Sequence, residues 1–424
     1  MTAWTPSYRI LINGNNATNL VLVGFTITSG RINVNSQPQA GYANLQIINK
    51  DNQTFTWNIN TAITVEVKDT ANNWVAIFGG RISDVSTLVR TAGGGPSETG
   101  AVTYVTQLQI TALGALARLS KAIWTSALAA DKDGNQIYTI LSDLLLNSWN
   151  EVSPSETWSN YSSPTQTWLE AQDLGIGEID RAGQYQMEQR AADPIDFYSI
   201  VTNIASSALG YIYEDAYGNV SYADAAHRQN YLVANGYTQL DANNAIGAGI
   251  RQTIRSGALV NKYAINYGNN FGSTVSATNT ASISAYGLYS QSENSLLRNA
   301  TDAQAVVDRY VQLRAYPRPQ FESITFPLQN PEISDANRNA LLNIFMGQPV
   351  KITNLPANIY GGEFTGYIEG WTWSSSLNGL NLTFNASPIE FSAVAQNWDQ
   401  VNVAERWNTL SNTLQWEDAI GVIS

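Results

Sequence analysis

Apolar and polar positions alternate along the first quarter of the chain. "YRILING", "NLVLVGFTITSG", "GYANLQIINK", "AITVEV", "WVAIFGGRIS" and "YVTQLQITAL" are β-branched or aromatic runs separated by Asn, Gly and Asp. A period of two puts every second side chain on one face, as in half-buried strands. Six such strands in about 110 residues predict a barrel or sandwich, with "TAGGGPSETG" at 91–100 as the loop between the last two. Near residue 123 the period changes. Ile137, Ile140, Leu141, Leu144 and Leu145 have helical i, i+3, i+4 spacing. A second helix is expected across "DPIDFYSIVTNIASSALG", capped by Asp193 or a neighbouring Asp, with Pro194 in its first turn and Gly210 ending it. Behind it, two alternating runs meet at Tyr217-Gly218-Asn219, a hairpin by its turn chemistry. Strand patterns resume after about residue 236. They flank a helix with Thr301 as N-cap and Gln304 completing a capping box, and another running from Ser334 or Asp335 to Gly347.

One phrase returns. Phe-x-Gly-x-Ile stands at Phe78, Gly80 and Ile82 and again, 286 positions on, at Phe364, Gly366 and Ile368. Val65, Glu66 and Val67 precede the first copy, and Val350, Lys351 and Ile352 the second; "LQITAL" and "LNLTFN" follow. Three strands repeated in order, around a different α/β unit, predict two related β-barrels from a duplication rather than a short-period solenoid. The expected fold is α+β, mainly β: barrel I at 1–122, an α/β domain at 123–235, barrel II with helical insertions at 236–392, and a tryptophan-bearing tail at 393–424.

Composition narrows the chemistry. Charged residues are 13% of the chain, about half the usual share for a soluble domain, with Asn, Ser, Thr, Gln and Gly in their place. This is the surface of a protein that assembles or works outside a cell. A net charge of −12 argues against a nucleic-acid-binding face and allows a negatively lined passage. With no cysteine, disulfides, thiolate nucleophiles and Cys-based zinc sites are excluded. A start without a basic-then-apolar leader, and the lack of any apolar run of about 18 residues, predict a soluble chain with no secretory signal or membrane anchor.

Catalytic groups are sparse. The single histidine, His227, reads as a solvated or capping residue. Glu178 with Asp180, and Glu214 with Asp215, are the carboxylate pairs open to glycoside hydrolysis, although turn chemistry accounts for the second pair. Asp131, Asp133 and Asn135 begin like a calcium loop, but the later positions hold Gln136 and Ser142 where an EF-hand needs Gly and Glu. "GIG" at 175–177 has no strand-turn-helix around it to make a dinucleotide site. In the tail, Trp398, Trp407 and Trp416 recur every nine residues, each followed three positions later by Val401, Leu410 or Ala419. Nine helical residues turn about 900°, so one continuous helix would point successive tryptophans to opposite faces. Three short docking units fit better.

The run "DLGIGEIDRAGQYQMEQRAADPIDFYSIVTNIASSALGYIYEDAYGNVSYADAAHR" resembles the central segment of minor tail proteins of long-tailed bacteriophages. There a Gly-containing strand leads into a helix, then Leu-Gly-aromatic, then a hairpin with Asp and Gly in its turn and an Arg just after. Those features stand here at Gly175 and Gly177, the helix near 195–208, Leu209 and Gly210, Asp215 and Gly218, and Arg228. The tryptophan tail resembles the ends of such proteins, and the likeness spans about residues 1–420. Asn-rich turns and an insertion at 269–287 depart from the pattern, leaving the shape of that loop open. The resemblance implies a structural tail-tip or baseplate hub, part of the virion and synthesised in the host cytoplasm, with no enzymatic activity, cofactor or metal. Three copies would close a ring of six barrels, matching a sixfold tail tube to a threefold spike or fibre, with DNA passing through unbound. The expected interface residues are Phe78, Gly80, Phe364, Gly366, Trp398, Trp407 and Trp416. A receptor- or carbohydrate-binding tail protein and a tail-associated glycoside hydrolase using Glu178 or Asp180 are the alternatives.

Overall fold

Alternation does become strands. The computed structural model describes residues 4–18, 20–49, 54, 58–91, 104–144, 178–245, 250–376 and 379–392. Along the first part run Tyr8–Ile12 (β1), Asn15–Asn16 (β2), Leu20–Gly30 (β3), Gln39–Asn49 (β4), Ala62–Lys68 (β5), Trp74–Thr91 (β6) and Tyr104–Leu113 (β7). In β4 the period of two is plain, with Ala43, Leu45 and Ile47 buried and Tyr42 and Gln46 exposed.

The helical period then produces Ala115–Leu119 (α1), followed by Ile123–Trp124 (β8), Asp131–Lys132 (β9) and Asp133–Asp143 (α2). Helix α2 buries Ile137, Ile140, Leu141 and Leu144 as their spacing predicts; Leu145 lies outside the described residues. Next come Gln186–Met187 (β10), Ile195–Asp196 (β11) and Phe197–Ser207 (α3). Of the neighbouring Asp residues expected to cap α3, Asp196 does so, accepting from the Ser199 N–H at 2.8 Å. Pro194 lies ahead of the helix because Ile195 and Asp196 are held extended against Trp124 and Ile123. An Asp196→Ala variant is expected to lose about 1 kcal/mol in urea unfolding at pH 7. At the far end Leu209, with φ 57°, takes the left-handed position. Gly210 instead leaves room for the Ala223 carbonyl and the Tyr222 ring, which a Cβ would strike. The hairpin follows as predicted, Tyr211–Glu214 (β12) against Val220–Ala223 (β13), and then His227–Asn235 (α4).

The last part holds Thr238–Asp241 (β14) and Arg251–Thr253 (β15), then a separate small sheet of Lys262–Tyr267 (β16), Ser273–Thr278 (β17) and Ser290–Asn294 (β18), with Thr280–Tyr286 (α5) between the last two. The insertion at 269–287 is therefore a strand and a short helix. Ala300–Arg314 (α6) is capped by Asn299, which accepts from the Asp302 N–H at 2.8 Å. The expected cap, Thr301, already lies inside the helix, and Gln304 turns to Asp308 at 2.9 Å. Gln320–Pro327 (β19) precedes Asp335–Leu342 (α7), which Ser334 caps as predicted but which ends before Gly347. Pro349–Thr353 (β20), Phe364–Ser376 (β21) and Gly379–Pro388 (β22) complete the described chain. Among the described residues no helix is long and apolar enough to cross a membrane.

Thirteen strands form one sheet, ordered β15-β19-β22-β21-β3-β4-β7-β6-β5-β1-β2, with β20 paired to β21 and β14 to β20. Two sets within it match. β5-β6-β7-β4-β3 and β20-β21-β22-β19-β15 have the same order and the same antiparallel pairing. Phe78 faces Val65 as Phe364 faces Ile352. Ile82 faces Ala112 as Ile368 faces Ala386, and a bulge follows at once in both copies. Shared register and a shared bulge are more than two glycine-bearing strands show by chance.

The chain is mainly β, as expected, but among the described residues no strand set closes on itself by pairing into either of the two expected barrels. In the first set the Tyr8 ring of β1 reaches Phe25 of β3 edge-on, 5.2 Å between centroids, without a ladder between the two strands. The sets instead merge. β21 is long enough to give Phe364–Tyr367 to β20 and Gly370–Ser374 to β3. One core results, containing Ile27, Leu45 and Ile110 from the first set with Ile324, Trp373 and Phe384 from the second. A second core joins α2, α3 and β13 to β16 and α6, so the packing of the middle unit extends past residue 235.

Candidate functional site

The three parts of the chain meet on one buried charge cluster. The bulge in β21 falls at Glu369, and an extra residue in a strand re-aims a side chain. Its carboxylate lies between Arg31, just past β3, and Arg228 in the first turn of α4. Arg31 Nε donates to Oε2 at 2.6 Å. Arg228 donates through Nη1 to Oε1 at 2.6 Å and through Nη2 to Oε2 at 2.8 Å, and the Ser387 hydroxyl donates as well. The Arg31 and Arg228 guanidiniums lie over the Tyr211 ring, 5.1 and 4.7 Å from its centroid. Burial by itself pushes the Glu369 carboxyl up; Arg228 and Arg31 outweigh it and hold the group down at about 2. Beside the cluster is a cavity of about 440 Å³ lined by Arg31, Tyr211, Asp224, Arg228, Glu293 and Arg314, among others. Burial lowers Arg314 to about 10, and its guanidinium donates to the Phe391 carbonyl at 2.7 Å.

A second cluster holds one of the two carboxylate pairs singled out in the sequence. Glu178 and Asp180 flank a parallel bridge to β13, with the Tyr222 N–H donating to the Glu178 carbonyl at 2.7 Å. Asp180 accepts from the Asp224 N–H at 2.9 Å and shares a hydrogen bond with His227 Nδ1 at 2.7 Å. Burial pushes Asp180 up to about 8 and His227 down to about 3, so this contact is a hydrogen bond of a neutral imidazole rather than an ion pair. His227 is 4% exposed, packed inside rather than solvated as its sequence context suggests. Among the described residues neither oxygen of the Glu178 carboxyl has a hydrogen-bond partner. Burial, then Asp180 and Asp215, push Glu178 up to about 10, so at neutral pH it is protonated.

The other candidates serve the fold. Glu214 accepts from the Leu116 N–H at 3.0 Å and from the Gly41 N–H, tying the hairpin to α1 and β4. Asp215 builds the turn, accepting from the Tyr217 and Asn219 N–H groups at 2.9 and 2.8 Å. Asp131 accepts from its neighbour Lys132 and from Asn135, whereas Asp133 is directed inward to the Tyr222 hydroxyl at 2.5 Å and the Tyr185 N–H at 2.8 Å. The first two carboxylates of the apparent calcium loop thus have separate environments. Phe78 and Phe364 are 3% and 1% exposed and pack within one chain. Gly80 and Gly366 lie where a Cβ would strike the Leu113 or Ser387 carbonyl of the next strand, a close approach that requires glycine. Trp398, Trp407, Trp416 and the "GIG" run lie outside the described residues.

Arg31, Tyr211 and Glu369 were not among the sequence candidates. A signal existed for Glu369: it is the one acid in the otherwise apolar and small run "GYIEGWTW".

No protein-family model matches the chain, and no curated protein matches it in sequence. Solved structures do match in fold. The 43 kDa tail protein of prophage MuSo2 from Shewanella oneidensis superposes with a TM-score of 0.53 at 10% identity, over 91% of this chain and 99% of that one. The tail protein from Neisseria meningitidis MC58 superposes with a TM-score of 0.55 at 9% identity, over 92% and 98%. The chain therefore has a fold found in phage-derived tail proteins, and the likeness to tail proteins read in its sequence holds at the level of fold.

Proposed function

We propose that the protein is a structural subunit of a phage tail tip, a hub of which three copies form a ring around the DNA passage. The supporting observation is the duplication: one chain carries two strand sets of the same order and register. Three chains then present six similar units, a pseudo-sixfold face for a tail tube, while the ring keeps threefold symmetry for a spike or fibre. The tail after residue 392 docks a neighbouring tip component through Trp398, Trp407 and Trp416. DNA passes without specific contact, in keeping with the net charge of −12.

The alternatives have less support. Among the described residues Glu178 and Asp180 are buried, at 1% and 7% exposed, and do not line the cavity beside the charge cluster, which disfavours a glycan site there. Of the exposed aromatics, Tyr286 and Tyr316 are neighbours but stand at 84° to one another, an edge contact and not a flat sugar platform. Light scattering over a concentration range is the test. The expected mass is three times 46.2 kDa for the full chain, and three times its own smaller monomer mass for one ending at residue 392. A monomer at every concentration would show that the chain does not form the ring by itself.

A further inference from the structure

The duplication makes a demand on two strand edges. Within one chain the second half of β21 is covered: Gly370–Ser374 pairs antiparallel with β3 from Gly30 back to Thr26, and Trp371 and Trp373 are buried there. Its counterpart is the second half of β6. Superposing Phe78 on Phe364 and bulge on bulge sets Asp84 on Gly370, Val85 on Trp371, Ser86 on Thr372, Thr87 on Trp373 and Leu88 on Ser374. This stretch pairs with β7 on one side. On the other, the ladder to β5 ends at Arg81, and no strand continues it among the described residues. Asp84 to Val89 are all exposed, Leu88 by 52% and Val89 by 60%. An open strand edge carrying apolar side chains is a template for pairing with another chain.

The matching edge is on the same molecule. β3 corresponds to β15, because β3 lies beside β4 as β15 lies beside β19. The pair Ile27 and Ala43 corresponds to Gln252 and Phe321, since Ala43 and Phe321 face the equivalent residues Ala112 and Ala386. Thr28 then corresponds to Thr253, Ser29 to Ile254 and Gly30 to Arg255. β15 ends the sheet with no partner on its outer side among the described residues.

We infer that β6 of one copy and β15 of the next pair antiparallel, in the register that β21 and β3 use within the chain. That register places Val85 opposite Ile254, Ser86 opposite Thr253, Leu88 opposite Arg251 and Asp84 opposite Arg255. The superposition uses only backbone pairing, yet it sets an exposed valine against an exposed isoleucine and an acid against an arginine. Arg251 and Arg255 share the single carboxylate of Glu322, which leaves positive charge at this edge for Asp84 to meet. Within one chain β6 and β15 are separated by six strands of the sheet. The contact is thus heterologous, repeating from copy to copy until it closes as a ring or runs on as a filament. The pairing rests on the reading of the chain as a self-assembling subunit and names the surface through which copies meet.

The absence of cysteine allows a direct test. Opposed Cα atoms in an antiparallel ladder are about 4.5–5.5 Å apart, within the roughly 4.4–6.8 Å that a disulfide spans. Mild oxidation of a Val85→Cys/Ile254→Cys variant is expected to link copies into covalent dimers and trimers that collapse on reduction. A Leu88→Cys/Ile254→Cys variant, three residues out of register, stays unlinked because about 10 Å of strand separates the pair. A separate variant, Asp84→Lys, sets like charges together and is expected to shift the light-scattering mass toward the monomer. Equal linkage from both cysteine pairs overturns the inference. So does no linkage from either when the mass shows several chains, an outcome that leaves the ring standing. Linkage at Val85 and Ile254 that runs on beyond three chains upholds the edge pairing and overturns the ring of three. A monomer without linkage overturns both.

Discussion

Replacing Glu369 by alanine is expected to destabilise the fold by about 3–5 kcal/mol, the cost of removing one partner from a buried ion pair. Among the described residues Glu369 is the only carboxylate bonded to both Arg31 and Arg228, and all three side chains are buried. Without it two guanidiniums remain side by side over Tyr211, desolvated and repelling one another. Glu369→Gln keeps the volume and loses the charge, so it should lose most of the same stability; a volume effect alone would spare it. The pH dependence has a definite sign. The carboxyl is held down at about 2 from an ordinary value of 4.5, so its contribution is complete above about pH 4.5 and fades as pH falls toward 2. Urea unfolding of wild type and both variants at pH 7 and pH 3 checks this, with the gap expected to narrow at pH 3. A loss under about 1 kcal/mol at pH 7 would mean that the cluster does not hold the three parts of the chain together.

What could be read without the structure was local. Alternation located the strands, and the recurring Phe-x-Gly-x-Ile phrase located the duplication because each glycine sits where the next strand crowds it. Helix positions were legible, but the caps were less exact: of the Asp residues offered for α3 it is Asp196 that caps, and Asn299 replaced Thr301. In both cases the residue that caps is the one the preceding chain holds extended, which depends on contacts outside the helix. The union of the two sets in one sheet was not legible. It turns on β21 choosing β3, a partner more than 300 residues away, and alternation does not identify partners. Glu369 was missed for a related reason. The inward positions of β21 are Phe364, Gly366 and Ile368 before the bulge and Trp371 and Trp373 after it. This change of parity marks the bulge in hindsight, and the residue at the change is the one that carries the charge.

Glu178→Gln is expected to act in the opposite direction and to stabilise the protein at neutral pH. Burial holds the Glu178 carboxyl up at about 10 against an ordinary value of 4.5, and neither of its oxygens has a partner among the described residues. Below about pH 4.5 both the folded and the unfolded chain keep the proton, and the group adds no pH dependence. Above it the unfolded chain releases the proton while the folded chain retains it, so stability falls as pH rises and levels off only near pH 10. At about 1.36 kcal/mol per pH unit, the penalty reaches about 3 kcal/mol by pH 7. An amide has no proton to release, and the protonated acid it replaces is already without hydrogen bonds, so the substitution removes the pH-dependent cost without breaking a contact. Urea unfolding should give nearly equal stabilities for the two proteins at pH 4 and a gap in favour of Glu178→Gln that widens to pH 8. A gap that stays constant across that range would mean that Glu178 titrates alike in both states, and that water reaches a carboxyl the fold encloses. The same pair of proteins bears on assembly: with the Glu178 carboxyl enclosed by the fold, the stabilised variant should assemble as the wild type does.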